Sequence, residues 1–312
     1  MFNYTVLSRN PSIFRSFTGL ETREFDNLYT KIEENYAAHQ ERRLHREDRH
    51  RRIGAGHPFK LPLRERLLML LMYHRLYTTS TLLGYIFNLG QSNVLKNIRM
   101  FEPLVAQTLP LPSKLHERAR RLGSLEEIEK LFPGFKAFLD ATEQEIPRPR
   151  DRAKRRTHYS GKRKRHTVKT QVTVNAGGLI VHKTSHARGG RHDYSLFRWR
   201  HPRLPAEVSL GMDSGYDGVQ KDYPELNALV PFKRRSPGRG KRGVKAKPLT
   251  PEQKEFNKRL ASERVVVEHA ISRLKKFRVW GEEFRNRLGH YDVMTDIVCG
   301  LVNLKLLGVT AL

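Results

Sequence analysis

GFKAFLDATEQEIPRP, residues 134–149, is an apolar run that stops at one acid before the chain turns polar and basic. Phe135, Ala137 and Leu139 alternate with Lys136, Phe138 and Asp140, a period of two that predicts a short strand with Asp140 at its carboxyl end. A carboxylate there is available to a metal ion, although acids also close strands as plain turn residues. The residues on either side decide between these readings.

Downstream, residues 148–166 read RPRDRAKRRTHYSGKRKRH, a run too basic to be buried, on which Lys162, Lys164 and His166 are candidate DNA contacts. Val168, Thr170, Val172 and Val174 then alternate with Lys169, Gln171 and Thr173, and NAGG at 175–178 turns the chain back into LIVHKTS, which predicts a hairpin. A short helix is expected to start near His192 and Asp193. Val208, Leu210 and Met212 alternate into Asp213, where SGYDG closes a second strand, and residues 228–232 form a further strand. Residues 233–247, KRRSPGRGKRGVKAK, are cationic and glycine-rich, and are expected to be mobile without a partner. A long helix over 251–277 carries an apolar stripe of Val267, Ala270, Ile271, Leu274 and Phe277. At about 100° per residue, Arg264, Glu268 and Lys275 share one edge of that stripe. A last apolar helix over 292–307 is expected to close the domain.

Upstream, residues 1–57 read as a helical lead-in, with Phe14, Phe17, Leu20, Phe25, Leu28 and Ile32 near helical spacing and Thr22 as N-cap. Its charged end, 41–52, is expected to be solvated. Pro62 opens an apolar helix over 64–76. A second helix over 81–87, an Asn88-Leu89-Gly90 turn and a third helix from Gln91 have the spacing of a helix-turn-helix. That motif would pack Val94 and Ile98 on Leu82 and Ile86, and would turn Gln91, Ser92, Asn93, Lys96 and Arg99 toward DNA; an ordinary helical hairpin is the alternative. After Pro103, Pro110 and Pro112, a charged helix over 115–131 leads to residue 134.

The chain has 312 residues, 38% of them hydrophobic, enough for two domains with real cores. Lys and Arg number 59 against 32 Asp and Glu, a net charge of +27, so the expected partner is a polyanion, with nucleic acid first. The basic residues are spread over several segments and are not gathered beside an amphipathic terminus, so no membrane partner is expected. Cys299 is the single cysteine, which excludes an intrachain disulfide or a thiolate metal cluster. With no apolar leader in MFNYTVLSRN, a cytoplasmic, nucleoid-associated location is expected.

Two strands ending in acids, an intervening hairpin and a helix with an acid beside its apolar face can gather Asp140, Asp213 and Glu268 at one edge of a mixed sheet. Three carboxylates without cysteine or paired histidine select hard cations, Mg²⁺ or Mn²⁺. Two such ions per active site, about 3.5–4 Å apart, stabilise the attacking and leaving oxygens of an in-line phosphoryl displacement.

FLDATEQEIPRP, YSGKRKRHTVK, MDSGYDG and the Arg264, Glu268, Lys275 spacing together resemble the DDE transposases of bacterial insertion sequences, in the branch related to Harbinger-type transposases. LPLRERLLMLLMYHRLYTTSTLLGYIFNLGQSNVLKNI is similar to the helix-turn-helix of that branch. The resemblance implies an α/β fold, a ribonuclease-H-like mixed-sheet catalytic domain at 132–312, preceded by a helix-turn-helix domain at 58–131 and the lead-in at 1–57. It implies Asp140, Asp213 and Glu268 as catalytic triad and metal ligands, with Arg264 and Lys275 contacting DNA near the element's end. Ala261 stands where the broader signature carries a tyrosine. The activity implied is metal-dependent hydrolysis at the element's ends and joining of the freed 3′-hydroxyl to target DNA. The partners would be double-stranded DNA of ends and target, bound by a homodimer or larger assembly. A non-enzymatic DNA-binding regulator, or a host nuclease that cuts without joining, are the alternatives; a regulator has no need to hold three anions together against their repulsion.

Overall fold

The structure is a computed structural model and describes residues 2–48, 50–53, 55–234 and 248–308. All but Lys233 and Arg234 of the cationic stretch expected to be mobile lies outside the described residues. The chain parts into two compact units, Met1–Leu111 with Arg273–Leu312, and Pro112–Ser272.

The first unit opens with α1 (Tyr4–Ser8), α2 (Pro11–Thr18), α3 (Thr22–Leu44), α4 (Leu63–Leu76), α5 (Ser80–Phe87) and α6 (Gln91–Thr108). Asn3 and Asn10 cap α1 and α2 by accepting from the Val6 and Ile13 amides. The cap of α3 is Glu21, not Thr22: Glu21 and Glu24 form a capping box in which Glu24 accepts from the Glu21 amide at 2.7 Å. Residues 66–74 of α4 are all buried, which accounts for an apolar run with no polar side. Within it, the buried Arg66 donates to Asn97 Oδ1 at 2.8 Å and to the Tyr36 hydroxyl at 3.0 Å, and lies over the Phe59 and Phe101 rings.

Helices α5 and α6 meet across a tight turn in which Asn88 adopts a left-handed conformation. Val94 and Ile98 are buried as expected, but their partners differ. Leu83, Gly84 and Phe87 form the buried face of α5, and Leu82 is 48% exposed. The reason is Gly84: a Cβ there would stand 2.5 Å from the Leu89 carbonyl oxygen, so the turn can fold back only over that face. Pro103 does not end α6, which runs on to Thr108 at the loss of one helical hydrogen bond.

The second unit begins with α7 (Pro112–Ala119) and α8 (Leu125–Leu131). These replace the single helix expected over 115–131, because Ser124 accepts from the Glu127 amide and starts a new helix. Then follow β1 (Lys136–Glu145), α9 (Arg152–His158), β2 (Tyr159–Ser160), β3 (Arg165–Asn175), β4 (Ile180–Lys183), β5 (Ala187–Arg188) and α10 (Asp193–Arg200). The unit ends with β6 (Ser209–Gly211), α11 (Val219–Asp222), β7 (Ala228–Leu229) and most of α12 (Pro251–Lys275). Among the described residues the strands form one mixed sheet in the order β2-β3-β1-β6-β7, with β4 and β5 also pairing β3. The β3–β4 pair is the expected hairpin. The central strand β1 runs antiparallel to β3 over nearly its whole length but parallel to β6 only from Lys136 to Phe138.

The chain returns to the first unit with α13 (Arg278–Gly281) and α14 (Tyr291–Leu307). The sequence groups α14 with the sheet, whereas its contacts are with α6; Asn303 donates to the Pro110 carbonyl at 3.0 Å. A mixed sheet with helices, after an all-helical region, is the α/β architecture expected of a ribonuclease-H-like protein. No described helix is long and apolar enough to cross a membrane.

Candidate active site

Asp140 lies in the middle of β1, not at its carboxyl end as the alternation suggested, because β1 continues along β3 to Glu145. What ends near Asp140 is the parallel ladder with β6, whose last partners are Phe138 and Gly211. Asp140 and Asp213 each stand two residues beyond that pair, so they share a face on adjoining chains where the ladder opens. Gly211 makes this approach possible, since a Cβ there would lie 2.7 Å from the Phe138 ring. Each carboxylate is anchored by the next backbone amide: Ala141 donates to Asp140 Oδ1 at 2.8 Å and Ser214 to Asp213 Oδ1 at 2.6 Å.

Burial pushes the Asp140 carboxyl above its ordinary value of 3.8, and the charges of Asp213 and Asp193 push the same way, against the Ala141 amide and the Arg264 guanidinium. Arg264 comes from α12, where Leu260 is buried and Glu263 pairs with Lys136 of β1 at 2.8 Å. Its Nη1 is 3.8 Å from Asp213 Oδ1; the Arg264 side chain is 12% exposed and Asp213 53%, so the arginine backs an acid that faces solvent. Glu268 is exposed one turn further along α12. Among the described residues no three acidic, histidine or cysteine side chains gather closely enough to hold one ion. The structure thus brings together Asp140, Asp213 and Arg264, and leaves Glu268 outside that group.

Beside the acids lies a buried polar chain that sequence reasoning missed. Lys169 Nζ is 2.7 Å from Asp193 Oδ1 and 3.4 Å from Glu143 Oε1, and donates to the Arg191 carbonyl at 2.7 Å. Gln171 Nε2 donates both to the Asp193 carbonyl, 2.7 Å, and to the Tyr216 hydroxyl, 2.8 Å. Tyr216 closes the short 3₁₀ turn that Asp213 caps, and burial raises its hydroxyl well above 10, helped by the charges of Asp193, Asp140 and Asp213. The available signal was that Lys169 and Gln171 occupy the polar half of β3, which is buried on both faces.

Of the expected DNA contacts, Gln91, Ser92, Asn93, Lys96 and Arg99 all lie on α6 and all five are exposed. Lys162 and Lys164 are exposed at the tip of the β2–β3 hairpin, and His166 packs edge-on against Tyr159. Lys275, half-buried, ends α12 and falls in the first unit.

The family profile described as DDE superfamily endonuclease matches residues 139–303, just over half of the chain, and the profile described as helix-turn-helix of DDE superfamily endonuclease matches 59–111, which holds α4, α5 and α6. A protein of Microchaete diplosiphon described as "Probable transposase for insertion sequence element IS702" is 28% identical over 261 residues, covering 83% of this chain and 86% of that protein. No solved structure matches the chain. With an acid pair at the opening of a parallel ladder, a helix-turn-helix before it and both profiles in register with these elements, the chain belongs to the DDE superfamily of endonucleases.

Proposed function

We propose that the protein is the transposase of an insertion sequence, which cuts the phosphodiester at its element's ends and joins the freed 3′-hydroxyl to target DNA. The observation that carries this reading is the register of Asp140 and Asp213, two residues past Phe138 and Gly211, with Arg264 behind them. The description of the Microchaete relative supports it. The donor set fits a hard divalent cation, because both anchored carboxylates offer oxygens and burial keeps Asp140 short of compensating charge. Asp140 and Asp213 would hold the proposed Mg²⁺ or Mn²⁺ pair, with Glu268 as third ligand. Bound there, the ions would supply charge stabilisation to the oxygens exchanged in the displacement.

The remaining work falls to side chains. Arg264, 3.8 Å from Asp213, steadies that carboxylate and is positioned to balance a phosphate that approaches the exposed acid. Helix α6 would read the element's ends in the major groove, within a helix-turn-helix domain at 58–131, and the basic residues of 148–166 would hold the backbone. We further propose a cytoplasmic protein at the nucleoid that works on DNA as a dimer or larger assembly.

The test is strand cleavage and joining on end-bearing duplex. Asp140→Asn, Asp213→Asn and Glu268→Gln should each lower cleavage by about a hundred-fold or more, since metal charge stabilisation is worth several kcal/mol, with end binding kept. Chelation should do the same to the wild type. Unimpaired cutting by one variant removes that residue from the site, and cutting without joining makes the protein a plain nuclease.

A further inference from the structure

On the second unit a furrow of about 1190 Å³ is lined by Arg148, Arg152, Arg155, Arg156, Tyr159 and His166. Its one acid, Asp151, is engaged in capping α9 through the Lys154 amide. Tyr159 is 44% exposed, and its ring meets the edge of His166 at 5.6 Å. The furrow has a neighbour. Gly190 donates to the Thr157 carbonyl at 3.1 Å, so the chain that borders the furrow continues directly into Arg191. The Arg191 guanidinium lies 4.9 Å from the centre of the Trp199 ring, and that of Arg200 lies 4.5 Å from it. Trp199 is 55% exposed, whereas Trp280, the other tryptophan of the chain, is 1% exposed.

Contacts to a duplex backbone are ion pairs and hydrogen bonds to phosphate and sugar, which make no use of an aromatic face turned to solvent. Aromatic rings set among guanidiniums are what an unpaired strand requires, because its bases need a surface to stack on while the phosphates follow the positive charge. The path also passes the acids: the Arg191 carbonyl accepts from Lys169, which pairs with Asp193.

We propose that the surface from Tyr159 to Trp199 seats an unpaired DNA strand, with bases stacked on these two rings and phosphates on the arginines of α9 and on Arg191. The proposal rests on the endonuclease reading and deepens it, by giving the single strand exposed around a cut its own place on the catalytic unit.

Tryptophan emission of the full chain, without divalent metal, is titrated with a short oligothymidylate and with a blunt duplex of equal length. The single strand should quench the emission, and the quenching should vanish in Trp199→Phe, where only buried Trp280 remains. Trp199→Ala and Tyr159→Ala should each weaken single-strand binding by about ten-fold while changing duplex binding by less than about two-fold. Absence of quenching, or equal losses for both DNAs, would overturn the proposal; equal losses would make this a duplex surface, and no binding of either would leave it to a protein partner. Wild-type cleavage of end-bearing duplex is run in parallel with metal added. Cutting that persists beside unchanged single-strand affinity sinks the strand seat alone, whereas a wild type that never cuts sinks the endonuclease reading.

Discussion

A Cβ at position 211 would stand 2.7 Å from the Phe138 ring and 3.2 Å from Leu260, so one missing methyl group lets β6 lie against β1 closely enough to bring two acids level. The alternation around Phe135 to Asp140 was legible because it belongs to consecutive residues. The place where the parallel ladder opens was not, since it depends on a strand some seventy positions away. The same holds for Glu102 in the first unit, which the sequence does not single out. It is buried on α6 and is hydrogen-bonded by His290, while fully buried His74 has its Nε2 3.8 Å away. The Glu102 hydrogen bond raises His290 above the ordinary 6.5; burial lowers His74 below it, against the pull of Glu102. For His290 the stabilisation is complete below pH 6.5 and is lost as pH rises through its raised value. For His74 the sign reverses, and stability falls as pH drops from 6.5 toward its lowered value. Thermal unfolding of the metal-free chain should therefore be most resistant near pH 6.5, and His290→Ala should flatten the alkaline limb far more than the acidic one, to whose His74 shift its charge is a minor contributor. An alkaline limb unchanged by that substitution would exclude the Glu102 pairing as its source.

Helix α6 shows what periodicity can report about an element. Its apolar positions Val94 and Ile98 were readable and are buried, but a pattern of apolar residues does not say which face of the partner helix receives them. Gly84 made that choice, and it left Leu82 outside. Strand β3 gives the complementary case. Its alternation reads as one wet face and one dry face, yet other elements cover both, and the polar half became a buried chain from Lys169 to Tyr216. At this scale α6 carries a separable expectation. Alanine at Asn93, Lys96 or Arg99 should narrow the gap between end-bearing and random duplex by about 1–3 kcal/mol for each base edge no longer read, measured by competition at two salt concentrations. If affinity for both DNAs falls together, with a shallower salt slope, the helix holds backbone and reads no bases.

Across the whole molecule, the sequence conveyed the order of elements and the class of fold, because each long helix and each alternating strand announces itself locally. It did not convey which elements belong to one compact unit: α14 is as apolar as a helix closing the sheet would be, but its contacts are with α6. The chain leaves the first unit after Leu111 and re-enters it at Arg273, so the unit that holds the helix-turn-helix is completed by residues synthesised after the sheet. A ribosome therefore releases no complete first unit before the whole second unit has been synthesised. Fragments from premature termination should fail as repressors of their own element, because a chain ended after Ser272 lacks α13 and α14 and leaves faces of α4 and α6 uncovered. Rapid proteolysis of residues 1–272 within the α4–α6 region, with no binding to end-bearing duplex, is the expected outcome, and tight binding by that fragment would contradict it. Under the proposed function, products that stop before Arg273 would not compete for the element's ends, and mobility would be tied to translation past the second unit.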